Sequence, residues 1–435
     1  MFIHHLKSRK ILLFFLAFFF QEVLLAESSD REIFERIDSM EKEINELRQE
    51  LSQKDDAFVQ EKKQSGDLIE YRPGEGLEFK SAGLKIGAGA TFVLRGTQNA
   101  NGDNLTRNGE DSSNASYSVD LEFEKSFEDC GMAFLHLETG DGVGGGNDLK
   151  VFSGLNRDAD DSDSSVSVTE VWYEHYFQNF PLTFTFGKID PTSYLDSSEY
   201  ANDECTQFLG EAFRNSPAIE FPDDSAFGFR LALEPTNFLD LELAAMDANA
   251  NWENVFDDVF FSGQVNFKPS FWKRPGNYRV YGWLNGKNHI SWGDSSKTKK
   301  KNYGFGLSFD QELTNCLGVF LRYGWQNPKV YLDGSDLSLE RFWSAGFQII
   351  GNRWNRAEDI FAFAFGEITP SGDYKTLGNL KAKSEKHFEV YYSYKANKRL
   401  SVIPDVQLVW DPYGGDASNG NKTIFVGGIR AQLNF

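Results

Sequence analysis

Two periods of apolar residues divide the chain. Over residues 31–54, REIFERIDSMEKEINELRQELSQK, apolar side chains fall at Ile33, Ile37, Met40, Ile44, Leu47 and Leu51. Spacings that alternate between four and three form the seam of a coiled coil, with Glu, Lys and Arg on the remaining faces. From residue 82 the period shortens to two. In GLKIGAGATFVLR, Leu84, Ile86, Ala88, Ala90, Phe92 and Leu94 share one face, and Lys85, Gly87, Gly89, Thr91 and Arg95 share the other, with Val93 as the exception. In SYSVDLEF, Tyr117, Val119, Leu121 and Phe123 alternate with Ser118, Asp120 and Glu122. Successive side chains of a strand point to opposite sides, so each segment has an apolar and a polar face.

About sixteen such segments follow, near 82–95, 116–127, 131–139, 168–178, 182–189, 226–234, 238–246, 260–268, 277–285, 303–312, 315–325, 342–350, 358–366, 386–395, 399–409 and 422–435. Most have the roughly nine to eleven residues that a tilted strand needs to cross a bilayer. Their connections alternate. Short ones, such as Asn179-Phe180-Pro181, Pro235-Thr236-Asn237 and Ala396-Asn397-Lys398, take turns with long ones at 96–115, 140–167, 190–225, 286–302 and 367–385. A soluble sandwich also alternates apolar and polar positions, but it has no reason to segregate its loop lengths. Short turns at one end and long loops at the other mark an outer-membrane barrel. An open sheet would leave unpaired N–H and C=O groups in hydrocarbon, so the expected fold is all-β, a closed transmembrane antiparallel β-barrel of about sixteen strands with a water-filled lumen.

The ends of the chain agree. Phe425, Gly427, Ile429, Ala431, Leu433 and Phe435 face one way, toward lipid, and Val426, Gly428, Arg430, Gln432 and Asn434 face the lumen. A final strand that seals a barrel has no use for a polar tail. At the other end, Lys7, Arg9 and Lys10 precede the apolar stretch Ile11–Phe20, and Leu24-Leu25-Ala26 offers a cleavage site. That is the form of a secretory signal. The expected domains are a signal peptide at 1–26, a coiled-coil helix at 27–56, a linker at 57–80 and the barrel at 81–435. No later run of 18 apolar residues offers a transmembrane helix.

Composition narrows the partners. The formal charge of −21 argues against nucleic acid. Cys130, Cys205 and Cys316 include no C-x-x-C pair, and Cys130 and Cys316 fall in different short turns, where they are not expected to pair. His136, His175, His289 and His387 are scattered, and no HExxH, GxSxG or Walker loop is present. GDGVGGGND (140–148) is glycine-rich but lies in a long loop, and the acidic tracts Asp158–Asp163 and Asp223-Asp224 lack the spacing of an EF-hand. No enzyme, cofactor or metal site is expected.

Several blocks resemble the OprB-type carbohydrate-selective porins: GKIDPTSYLDSSEYANDECTQFLGEAF (Gly187–Phe213), RFWSAGFQIIG (Arg341–Gly351), Arg356-Ala357-Glu358-Asp359, FEVYYSYKANKRLSVIPDVQLVWDPYGG (Phe388–Gly415) and FVGGIRAQLNF (Phe425–Phe435). The likeness runs from about residue 80 to the end. It implies a sixteen-stranded barrel through which sugars diffuse passively, with a third loop folded inward to narrow the pore. The N-terminal helix lies outside it and looks more like an envelope-anchoring extension. A terminal Phe such as Phe435 also resembles the signal read by the barrel-assembly machinery.

Strand parity puts Lys85, Arg95, Asp120, Glu122, Glu138, Glu170, Trp172, Glu174, Arg230, Arg279, Trp283, Arg322, Glu389, Tyr391, Asp405, Gln407 and Arg430 toward the lumen. Carboxylates and guanidinium forks exchange hydrogen bonds with sugar hydroxyls, and an aromatic face covers the C–H face of a pyranose. Any porin lumen is also lined with charge simply to stay wet. The constriction candidates are Asp196, Glu199, Asp203, Glu204, Glu211 and Arg214 on loop 190–225. The expected function is passive diffusion of mono- or oligosaccharides and other small hydrophilic solutes through the outer membrane, with barrel lipid as the surrounding partner. A general or cation-preferring porin is the alternative. Residues 31–54 would form a homotrimer seam or a cell-wall contact on the periplasmic side.

Overall fold

The computed structural model describes Lys42 and residues 69–435, apart from 103–110, 129, 143, 145–148, 159–163, 332–337 and 418–420. The expected signal peptide and heptad seam, and parts of the glycine-rich and acidic loop tracts, lie outside the described residues. The account that follows concerns the unit Ile69–Phe435.

Sixteen strands form the wall: β1 (Leu84–Gln98), β2 (Ser113–Ser126), β3 (Gly131–Asp141), β4 (Ser167–Tyr176), β5 (Leu182–Ile189), β6 (Ala226–Thr236), β7 (Leu239–Asp247), β8 (Val259–Phe267), β9 (Arg274–His289), β10 (Lys300–Thr314), β11 (Leu317–Gln326), β12 (Leu339–Gly351), β13 (Arg356–Pro370), β14 (Glu385–Asn397), β15 (Leu400–Trp410) and β16 (Ile424–Asn434). Each pairs antiparallel with its neighbours in the chain, and β16 returns to β1 from Phe425↔Gln98 to Asn434↔Gly89. The sheet is therefore closed. Chain order is also spatial order, as expected where each strand is joined to the next by a hairpin or a loop at one rim.

Alternation along each strand decides which face is which. On β1, Phe92 and Leu94 are 47% and 56% exposed, while Thr91, Val93 and Arg95 between them are buried. On β16, Phe425 and Ile429 face outward and Arg430 inward. An outward row of Phe, Leu, Tyr and Trp exposed on a closed sheet suits hydrocarbon, and it pairs across strands, as in the stacked rings of Phe184 and Phe229 or Phe347 and Phe363. Among the described residues no helix is long and apolar enough to cross a membrane. Strands do the crossing.

All sixteen expected segments are strands. The larger differences are at β9 and β13, which outrun 277–285 and 358–366 because β9 keeps pairing with β10 out to His289↔Lys300 and β13 with β12 out to Leu339↔Pro370. Residues 70–79, in the stretch expected as linker, form a small hairpin of Glu70–Arg72 and Gly76–Phe79 that pairs onto the start of β1. Gly76 has φ +90, and a Cβ there would lie 2.0 Å from the carbonyl oxygen of Ile86, so only glycine fits that close approach.

Candidate functional site

The lumen is built by two loops as much as by the wall. Residues 190–225, between β5 and β6, carry apolar side chains that a solvated loop would not need: Leu195, Phe208, Leu209 and Phe213 are all at most 2% exposed. Phe208 packs against Phe213 within the loop and against Phe320 and Tyr391 of the wall, with ring centroids 5.1–5.8 Å apart. Burial of these rings drives the loop inward.

Charged wall residues then hold its backbone. Arg322 on β11 donates to the carbonyl oxygens of Phe213 (2.6 Å), Ala201 (2.6 Å) and Asp196 (3.0 Å) and pairs with the Asp196 carboxylate at 3.2 Å. Arg430 on β16 donates to the carbonyls of Glu204 and Gln207. Glu389 on β14 accepts the N–H groups of Leu209 (2.7 Å) and Gly210 (2.9 Å), one on each oxygen. These bonds satisfy irregular backbone that would otherwise be orphaned inside the barrel. The described residues 149–158 of a second loop dock on the wall and on the first loop. Phe152 N–H donates to Glu385, Gly154 N–H donates to Glu211, and Arg157 N–H donates to the Leu209 carbonyl.

What stays open is a cavity of about 1270 Å³ between the loops and β1–β4. Lys85, Ser118, Asp120, Glu122, Glu124, Phe134, His136, Glu138 and Glu170 line it from the wall, and Asp190, Thr192, Asn202, Asp203, Glu204, Glu211 and Arg214 from the loop. Arg214 binds Glu204, lies 3.6 Å from Asp190 and donates to Thr192 Oγ1, so it braces the loop edge. The Asp120 carboxylate accepts from His136 Nε2 at 2.9 Å, the tautomer in which that ring nitrogen carries the proton.

The sequence candidates thus fall into three groups. Glu122, Glu170, Asp203, Glu204 and Arg214 line the passage, and Trp172 stands just behind it, donating Nε1–H to Glu170 and stacking on Phe134 at 5.1 Å. Glu174, Arg230 and Arg279 occupy another part of the wall. Arg230 joins Glu174 and Glu242 and covers the Tyr194 ring, Arg279 pairs with Asp310 at 2.5 Å, and both guanidiniums border a smaller cavity of about 190 Å³. The remainder are buried beneath the loops. Arg322, Glu389 and Arg430 hold backbone, Arg95 donates to Gln407 at 3.0 Å, Asp405 and Tyr391 lie opposite one another on adjacent strands, and Trp283 packs with Phe260, Tyr281 and Leu195. On the loop itself, Asp196 is fully buried, and Glu199 donates its N–H to Asp310.

Burial pushes the Asp196 carboxyl up to about 6, although Arg322 and the Ser216 N–H pull it back. The same cause raises the Cys205 thiol, so its thiolate is disfavoured. All three cysteines are free. His136 and Glu385 escaped the sequence list. His136 shares the inward parity of Glu138, and Glu385 that of Glu389, so alternation alone could have found both.

Residues 136–435 match the family described as carbohydrate-selective porin, OprB family. An uncharacterised protein of Aquifex aeolicus (strain VF5) is 24% identical over 305 residues, covering 68% of this chain and 77% of that one. A high-pH structure of Pseudomonas putida OprB superposes with TM-score 0.68 at 15% identity, covering 82% of this chain and 95% of that chain. The outer-membrane channel DcaP of Acinetobacter baumannii superposes with TM-score 0.51 at 13% identity, covering 83% and 99%.

Proposed function

Because the chain belongs to the OprB family of carbohydrate-selective porins, an outer-membrane channel for small hydrophilic solutes, we propose that its solutes are mono- or oligosaccharides passing down their gradient between β1–β4 and the inward loop. One observation carries this: the cavity is lined largely by polar side chains, yet Phe134 lines it too, stacked on Trp172 behind it and beside Glu170 and His136. A pyranose presents both kinds of surface, a C–H face for a ring and hydroxyls for carboxylates. Contacts must stay weak, since a tight site would block flux.

Liposome swelling with neutral sugars of graded size tests the proposal. Glucose should enter faster than a polar solute of equal size that lacks a ring. Equal rates would leave a general porin, which the surplus of carboxylates along the passage would make cation-preferring. The chain acts as a channel and has no catalytic step. We further propose that the leader directs export, that residues 31–54 stand in the periplasm as a trimer seam or cell-wall contact, and that Phe435 is read by the assembly machinery. Loss of trimers on cross-linking after Ile37→Asp would support the seam.

A further inference from the structure

The barrel closes where its first and last strands meet, and there β1 changes partner along one edge. β2 holds the other edge as far as Leu84↔Lys125. β16 covers β1 from Gln98 down to Gly89, and its last contact is Phe435 N–H, which donates to the Ala88 carbonyl at 2.9 Å. Below that point the hairpin of residues 70–79 takes over: Leu77 lies opposite Ile86, Glu78 opposite Lys85 and Phe79 opposite Leu84. Gly87 alone separates the two partners, and Gly76 presses against it, since a Cβ there would lie 3.1 Å from Gly87 Cα. The end of the chain abuts the hairpin with no free step between them.

The hairpin is built into the wall. Tyr71 lies opposite Leu77 and Leu77 opposite Ile86, which has the outward parity of β1, while Glu70, Glu78 and Lys85 share the other face. Two glycines in left-handed conformations seat it. Gly76, at φ +90, meets the Ile86 carbonyl. Gly74, at φ +86, would place a Cβ 2.4 Å from the carbonyl oxygen of Lys398, in the turn between β14 and β15. Arg399 of the same turn lies over the Tyr71 ring, 5.5 Å from its centroid. The ion pairs of Arg72 with Glu70, Glu75 and Glu78 are exposed and add little. Close backbone packing on both sides of the seam therefore holds the hairpin, and charge does not.

Its role follows from what alternation leaves open. Side chains repeat every two residues, so a slip of β16 along β1 by two keeps apolar residues outside and polar residues inside. The apolar pattern does not separate those registers, yet they differ in stagger, and stagger is tied to the tilt and bore of a closed barrel. In a slip toward the start of β1, Leu433 would meet Ala88 and Phe435 would meet Ile86, a position that Leu77 already holds. We propose that residues 70–79 are a register stop: by occupying β1 up to Ile86 they fix where β16 ends, and with it the bore through which solutes pass. This role is the same whichever solute the channel carries. The hairpin also covers backbone groups of Leu84–Ile86 that would otherwise form a free sheet edge.

Disulfide cross-linking of the full-length protein in proteoliposomes reads the register directly, in a background with Cys130, Cys205 and Cys316 replaced by Ser. Leu433→Cys with Ala90→Cys should bridge, because residues opposed across a ladder lie within disulfide reach. Leu433→Cys with Ala88→Cys, a diagonal pair, should bridge several-fold less. Gly76→Val drives the hairpin off Ile86 and alters none of the sixteen strands. It should raise the bridge to position 88 several-fold, at the expense of the bridge to position 90. Single-channel conductance should spread from one main level to more than one. Closing the bridge between positions 433 and 90 in Gly76→Val should restore the single level, a rescue that a merely loosened wall would not show. Should Gly76→Val yield no folded barrel, removal of residues 70–79 from the otherwise full-length chain is read with the same pairs. A folded variant of either kind that bridges only to position 90 and keeps one conductance level overturns the proposal.

Discussion

The two sides of the lumen use the same side chains for opposite ends. On β11, β14 and β16, Arg322, Glu389 and Arg430 are buried and their hydrogen bonds run to loop backbone: Arg322 to three carbonyls, Arg430 to two, Glu389 to two N–H groups. Across β1–β4, Glu122, Glu170 and Lys85 border open space. An inward charge becomes a fastener where a loop covers it and a lining where none does. Fasteners are desolvated, so removing one leaves groups unpaired at a cost of kcal/mol. Lining residues are solvated, so their removal changes the field and little else.

The largest break in that contrast should come from Arg322→Met. It strands three loop carbonyls and the Asp196 carboxylate in one stroke, a loss on the order of 3–5 kcal/mol for a buried pair opened on one side. The loop should detach, and single-channel conductance and the sugar-size cutoff should both grow. A variant with wild-type conductance and unfolding midpoint would show that Phe208 and Phe213 hold the loop without the guanidinium.

Glu389→Gln comes next. Its two oxygens each take one N–H, and an amide can replace only one of them, so its NH₂ would face the other donor. Urea unfolding in detergent should register about 1–3 kcal/mol, with a noisier open channel as Leu209 and Gly210 loosen. Gln in place of Glu without loss would mean that the 2.7 Å and 2.9 Å bonds are not what positions this part of the loop.

On the open side, Glu122→Gln should leave unfolding within about 0.5 kcal/mol of wild type. Among the described residues no ion pair is lost, and Gly87 opposite leaves the side chain room. Its effect belongs to selectivity: the cation-to-anion permeability ratio should fall, most visibly at low salt, where the field is least screened. Should Glu122→Gln destabilise as much as Glu389→Gln, the division between fasteners and lining fails.

How much of this was legible beforehand follows from what each pattern encodes. Period two reports which face of a strand is apolar, and it located the sixteen strands and the inward parity of Arg322, Glu389 and Glu122 alike. It cannot tell a fastener from a lining residue, because that depends on which wall a distant loop covers. The loop did carry a hint. Phe208, Leu209 and Phe213 within Glu204–Arg214 are too apolar for an exposed connection, and a buried loop needs backbone partners. Which partners it takes is a matter of sequence separations above one hundred residues, as between Arg322 and Phe213. The hairpin at 70–79 was missed for a different reason: EYRPGEGLEF alternates too briefly to stand out from a polar linker.

The finest test divides a single ion pair. Arg322 and Asp196 lie 3.2 Å apart and both are fully buried, yet they should respond unequally. Burial holds the Asp196 carboxyl at about 6, above its ordinary value of 3.8, even with Arg322 beside it. The folded state then binds the proton more tightly than the unfolded chain, so this group's contribution to stability declines as pH rises from about 4 to about 6 and is flat above. Asn at 196 cannot ionise and escapes that decline. It also suits the backbone, since Asp196 has φ +63, a left-handed conformation that Asn tolerates well. Arg322 would keep its three carbonyls, and Ser216 N–H, which donates 2.7 Å to the carboxylate, would keep an amide oxygen. Asp196→Asn should therefore lose no stability at pH 7, and any advantage over wild type should vanish as pH falls toward 4. A loss approaching that of Arg322→Met would mean that the carboxylate's charge, and not the guanidinium's reach to the backbone, holds the loop in place.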